Sequence, residues 1–491
     1  MKKSLAFFLS LMMVFGLAGF AAAEEPFVIT VMLPDFYVDV DFVKDDNPVL
    51  KAIEEKSGVR LDITWVANSG YGEQTSVTLA DPANMPMIMV MQGPRDPMTV
   101  NSARAGAFWD LTDYLPQTEY LSQGSEKIFN NIAVDGRIYG IFRSRATARN
   151  GIYYRSDVAA ELGFTEKPKT MEELTAMSLA MAAKSDDTYA LNMCKYVDGT
   201  IKIATIMHGA PNIWGLDGNG DVYPAHTDPH FLEGLNWLRS LYAAGGIDPD
   251  FMVIESGKWN DAERNDKAFM RFDCMDNGYR QQEWFEQNKG TTETIFALLP
   301  SVTNAQGDFR MVPTVGYNGE IVITKAVKTE EDMLKCLNFL DWCNSSEGQT
   351  LINWGLEGLT YGIDENGFRT ILDEQTQFVQ AVQHSLNQLG MNVNGDLTPA
   401  PIMTPLRNEY NEYQTTMVEH CIFDPCHSLE SETAVMFGSV LNTMLEDAHV
   451  QYIAGQIDED GLRAVWQQWA DDGGAAMTEE YNLAYKAAFG K

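Results

Sequence analysis

Basic residues are scarce in this chain: 35 Lys and Arg stand against 69 Asp and Glu in 491 residues, a net charge of −34. A field of that sign repels phosphate backbones and anionic lipid, which excludes a nucleic-acid partner and a polybasic membrane patch. Cysteine is scarcer still, at six residues, so disulfides are not the scaffold. Beyond the first segment no apolar run is long enough to span a bilayer. There is no repeat of fixed period and no Pro/Ser-rich linker. H-E-x-x-H, G-x-S-x-G, Walker A and C-x-x-C are all absent.

What is present is enough apolar material for a large core, 45% of residues, in a chain too long for one ordinary domain. Lys2 and Lys3 precede an apolar run from Leu5 to Phe20 and then Ala21-Ala22-Ala23. That is the pattern of a secretory signal peptide, residues 1–23, with cleavage after Ala23. The expectation is an exported protein.

The rest of the chain alternates between strand and helix signals. Pro26 to Leu33 reads as a buried strand, Asn47-Pro48 as a helix start, Gly58 as a left-handed C-cap, and Val59 to Val66 as a second strand. This βαβ unit predicts a parallel pairing. Met87 to Met91, Ile152 to Tyr154 and Ile321 to Ile323 read as further strands. Thr170-Met171-Glu172-Glu173 is a capping box, Thr329 to Asp332 caps another helix, and Glu430 to Phe489 is helical with breaks at Gly455 and 471–474.

Several stretches then resemble one family in chain order. Asp135-Gly136-Arg137-Ile138-Tyr139-Gly140-Ile141 is similar to the "DGKIYGIP" stretch of the extracellular solute-binding proteins of ABC importers, family 1. Tyr154-Arg155-Ser156-Asp157 with Glu161-Leu162-Gly163-Phe164, and Thr170 to Leu174, resemble its next two segments. Trp354 to Tyr361 with Asp364 to Gly367, and the end from Tyr452 to Tyr485, are similar to its large oligosaccharide-type subgroup. The resemblance implies an α/β, two-lobed periplasmic-binding-protein-like fold of type 2. Each lobe would hold a mainly parallel sheet flanked by helices, with a helical C-terminal region. Residues 24–150 plus 317–370 are expected to form the N-terminal lobe, and 151–316 plus 371–491 the C-terminal lobe. The implied function is capture of a sugar or oligosaccharide between the lobes and delivery to ABC permease transmembrane subunits, by a monomer that requires no cofactor. One departure from the family is that Leu17-Ala18-Gly19 is followed by Phe20, so the lipidated cysteine of many members is missing.

Sugars present apolar C–H faces and rings of hydroxyls, so a site needs aromatic platforms beside amide and charged groups. Residues just past strand ends, or in turns and predicted loops as for Trp214, Tyr279, Arg280, Tyr317, Trp354 and Glu357, are the candidates. They are Asp35, Tyr37, Gln92, Arg145, Asn150, Trp214, Tyr279, Arg280, Tyr317, Trp354 and Glu357. Arg143 and Arg149 crowd the same segment as Arg145, and the sequence leaves open whether these arginines pair with surface carboxylates or bind an acidic ligand.

Asp217, Asn219, Asp221 and Asp228 partly follow an EF-hand spacing and are candidate ligands of a structural calcium, with a polar hairpin turn as the alternative. His420-Cys421 and Cys426-His427 suggest a metal cluster, but the spacing fits no common zinc pattern, and a small disulfide loop or simply packed cysteines are the other readings. A secreted carbohydrate-active enzyme, glycoside hydrolase or lyase, remains the alternative function, because sequence order does not report the distance between two carboxyl groups.

Overall fold

The computed structural model describes residues 26–35, 47–365, 367–372, 385–391 and 404–490. The signal-peptide reading and Tyr37 lie outside the described residues. In chain order the first strands are β1 (Phe27–Asp35), β2 (Val59–Ala67), β3 (Ile88–Met91), β4 (Gly140–Ser144), β5 (Asn150–Arg155) and β6 (Tyr189–Leu191). There follow β7 (Trp214–Leu216), β8 (Val222–Pro224), β9 (Ala268–Cys274), β10 (Phe296–Leu299), β11 (Tyr317–Ile323), β12 (Tyr361–Ile363) and β13 (Arg369–Ile371).

The first lobe is built on the sheet β2-β1-β3-β11-β4 and the second on β10-β5-β9-β6. The βαβ start forms as the residues predict. Asn47 Oδ1 accepts from Val49 N at 2.8 Å, Pro48 opens the helix Pro48–Ser57, and Gly58 ends it at φ 75°. β1 then pairs with β2 in parallel, Phe27 opposite Val59. Alternate residues Ile29, Val31 and Leu33 are fully buried against Ile53, Leu337 and Leu340 of the flanking helices.

Each sheet is mainly parallel, as expected, with one strand reversed against the rest. β11 runs antiparallel to β3 and β4, and β5 runs antiparallel to β9 and β10. The reason is the path of the chain. β4 leads directly into β5, and β10 leads back to β11, so β5 and β11 enter their sheets from the junction and oppose neighbours that run towards it.

The second core packs Ile152, Leu191, Phe272 and Leu299 against Leu235, Leu238 and, from the C-terminal helices, Tyr452, Leu462 and Trp466. The turn Leu386–Leu389 and Met391 pack in the first core instead, and Ser144 N donates to Met391 O at 2.6 Å. Residues 386–391, assigned above to the second lobe, therefore lie with the first. No helix among the described residues is long and apolar enough to cross a membrane.

Candidate functional site

The ends of β2, β3 and β9 lead into Asn68, Gln92 and Asp276, which all line one cavity of about 560 Å³ at the junction of the lobes. Ligands of open α/β sheets bind outside the carboxyl ends of strands, and this cavity lies there. The first lobe contributes Asn68, Gln92, Arg143 and Asn318; the second contributes Asp276, Tyr279, Arg280 and Tyr410; Arg145 and Arg149 come from the segment that joins them. β11 approaches so closely because it bulges between Tyr317 and Glu320. Gly319 sits in that bulge at φ 93°, where a Cβ would lie 2.2 Å from Met91 O, so only glycine fits.

The polar groups are held in defined places. Gln92 Nε2 donates to Asn68 Oδ1 at 2.9 Å. Arg149 donates through Nε and Nη2 to the two oxygens of Asp276, each at 2.9 Å, and Arg280 Nη2 reaches the same carboxylate at 2.8 Å. Burial of Asp276 favours its protonated form, but Arg280 and Arg149 outweigh this and hold it below the usual carboxylate range. The Tyr279 ring lies 5.6 Å from that of Tyr410 and under the Arg407 guanidinium at 4.4 Å, which fixes an aromatic wall. Asp276 is the single carboxylate among the described lining residues, and both its oxygens are engaged.

The structure thus brings together Gln92, Arg145, Tyr279 and Arg280. Asn150 lines an adjoining cavity of about 530 Å³ and accepts from Cys274 Sγ at 3.5 Å. Asp35 is buried at the end of β1. Four expected residues go elsewhere. Trp214 is buried against Tyr481 and Trp469, with ring centroids 4.9 and 6.5 Å away, at the edge of a third cavity of about 430 Å³. Tyr317 packs in the first core. Trp354 is buried beside Tyr361 and Arg369, and Glu357 is exposed in the turn before β12. Each aromatic is a packing anchor whose loop position alone did not show which way it points.

Sequence reasoning missed Asn68, Asp276 and Tyr410. Asp276 carried a signal, since it lies two residues past the end of β9. Asn277 to Arg280, expected in a loop, is instead the first turn of the helix Asp276–Lys289.

The candidate calcium ligands do not converge. Asp217 Oδ1 accepts from Asn219 N and Asp221 N within the β7–β8 turn, Asp221 pairs with Lys486 at 2.6 Å, and Asp228 caps the helix Pro229–Ala243 while accepting from Tyr223 Oη. The spacing belongs to a hairpin turn followed by a helix cap. Cys421 and Cys426 are in no disulfide and sit in different cores, because the loop between them crosses from one to the other. No group of three or more His, Cys, Asp or Glu that could hold a metal occurs among the described residues.

Comparison with known proteins bears on this geometry. Residues 49–356 match the bacterial extracellular solute-binding protein family. The chain is 30% identical to the lipoprotein LipO of Bacillus subtilis (strain 168), over 99% of both chains. It is 26% identical to the polygalacturonan/rhamnogalacturonan-binding protein YtcQ of the same organism, over 89% of this chain and 88% of that one. In structure it is similar to the S. pneumoniae ABC-transporter substrate binding protein FusA in complex with kestose, with TM-score 0.69, 15% identity, and 94% and 99% of the two chains covered. The chain belongs to the bacterial extracellular solute-binding protein family.

Proposed function

We propose that this protein is the exported substrate-binding component of an ABC importer, taking a sugar or oligosaccharide between its lobes and presenting it to permease transmembrane subunits. The observation that carries the reading is a cavity lined by strand ends of both lobes, in a chain of this family. YtcQ and FusA, whose names state polysaccharide and kestose binding, support it. The Tyr279–Tyr410 wall offers an apolar platform for sugar C–H faces, and the Gln92–Asn68 amides offer hydrogen bonds to hydroxyls. A ligand that touches both walls binds the closed arrangement better than the open one, and so drives hinge closure. The protein acts as a monomer, by binding rather than turnover.

The test is to heat the purified protein with a panel of oligosaccharides and then recover each sugar. A ligand at about 100 times its Kd stabilises by about 2.7 kcal/mol, a readable upward shift in Tm. A shift with the sugar intact supports binding; shortened or unsaturated products would replace it with an enzyme.

A further inference from the structure

Arg143 and Arg145 both line the junction cavity. Arg143 lies in β4, and Arg145 directly follows its last residue, Ser144. Arg143 is only 3% exposed. Its Nη1 donates to Asn318 O at 3.0 Å, while its Nε is buried with no partner. Arg145 donates from Nη1 to the carbonyl of Ser144 at 2.9 Å. Neither guanidinium meets a carboxylate among the described residues. The nearby carboxylate, Asp276, is already taken by Arg149 and Arg280.

Arg143 is thus buried and Arg145 half-buried on the cavity, neither in an ion pair among the described residues, in a chain with a large excess of carboxylates. Leaving a buried charge unpaired is costly, and an unpaired buried donor adds to that cost. Burial, and next Arg145, pull Arg143 down to about 9, which leaves it charged at neutral pH. In so acidic a chain a carboxylate partner would be easy to supply, and none is placed here among the described residues.

We propose that the missing counter-charge is carried by the ligand: the cavity takes an anionic oligosaccharide whose acidic groups, uronate carboxylates or sulfate esters, are received by Arg143 and Arg145. Arg's planar fork suits either group bidentately. Arg149 and Arg280, oriented by Asp276, stand as the next donors along the cavity. The inference rests on the carbohydrate reading above and deepens it.

Calorimetric titration tests it with trigalacturonate, its methyl ester, a sulfated trisaccharide and neutral trisaccharides, at low and raised salt. The expected result is that an acidic sugar binds more than about tenfold tighter than its neutral counterpart, and that salt narrows the gap. Preference for the carboxylated or the sulfated sugar identifies which acid is read. Arg145→Gln should remove most of the preference without lowering the Tm of the unliganded protein, because it deletes an uncompensated charge; Arg145→Lys should restore part of it. Equal or tighter binding of neutral sugars overturns the anion pair and leaves the carbohydrate reading standing. Binding of no sugar, neutral or acidic, overturns both.

Discussion

Arg149 clamps Asp276 through two parallel hydrogen bonds of 2.9 Å, tying the segment between the lobes to the first turn of the helix Asp276–Lys289. The clamp pairs the one carboxylate among the described lining residues, so the remaining charge they bring to the cavity is positive.

Breaking that clamp has a measurable cost. Asp276→Asn leaves Arg149 and Arg280 facing each other without their anion. Loss of a partner from a fully buried pair costs about 3–5 kcal/mol. Here Arg280 is more than half exposed, so about 1–3 kcal/mol is expected in urea denaturation. The sign with pH also follows. The folded carboxyl lies below its ordinary value of 3.8, so its contribution is complete above that pH and is lost as pH falls further. Stability of the variant should decline less steeply in acid than that of the unmodified protein.

Glu320 gives the opposite slope. Burial lifts its carboxyl to about 8, against the pull of Arg95. The folded protein therefore holds a proton that the unfolded chain, with a value near 4.5, has released. Stability should fall as pH rises from 4.5 towards 8. Glu320→Gln should flatten that fall and be the more stable protein at pH 8, as read by denaturation midpoints across the range.

Gly319→Ala places a methyl group 2.2 Å from Met91 O at φ 93°. The bulge cannot relax without moving β11 from β3, and a loss on the order of 1–3 kcal/mol is expected. The same variant should weaken sugar binding, because Gln92 and Asn318 flank the displaced backbone. An unchanged Tm and Kd would show that the bulge does not position the cavity.

Asn47→Ala removes the side chain that accepts from Val49 N and Leu50 N. A lost N-cap costs about 1 kcal/mol. No residue of the helix Pro48–Ser57 lines the junction cavity, so calorimetry should find the ligand Kd unchanged while the denaturation midpoint drops.

Local features of this fold were legible because their causes are local. The Asn47 cap, the Gly58 terminus and the Thr170 and Thr329 caps all form where the residues predicted them, since each depends on a few neighbouring backbone groups. The family, and with it two lobes, was legible from ordered segments spread along the chain. The mainly parallel sheets were legible too, but not the one reversed strand in each, β11 and β5, because no residue pattern marks where the chain crosses between the lobes. The candidate site was half legible. Arg143, Arg145 and Arg149 stood out as a cluster, but Asp276 and Tyr410 reach it from positions more than a hundred residues away.

By itself the sequence determined the acidic balance, the alternation of strand and helix, the helix ends and the membership of a solute-binding family. Each of these is a sum over composition or over contacts within a few residues. Only the tertiary structure decided which arginine found a carboxylate. Asp276 could pair with Arg149 and Arg280 once the end of β9 met the crossing segment, and the same packing left Arg143 and Arg145 with no carboxylate among the described residues. Charge pairing acts through space over a few ångströms, and chain order carries no record of that distance.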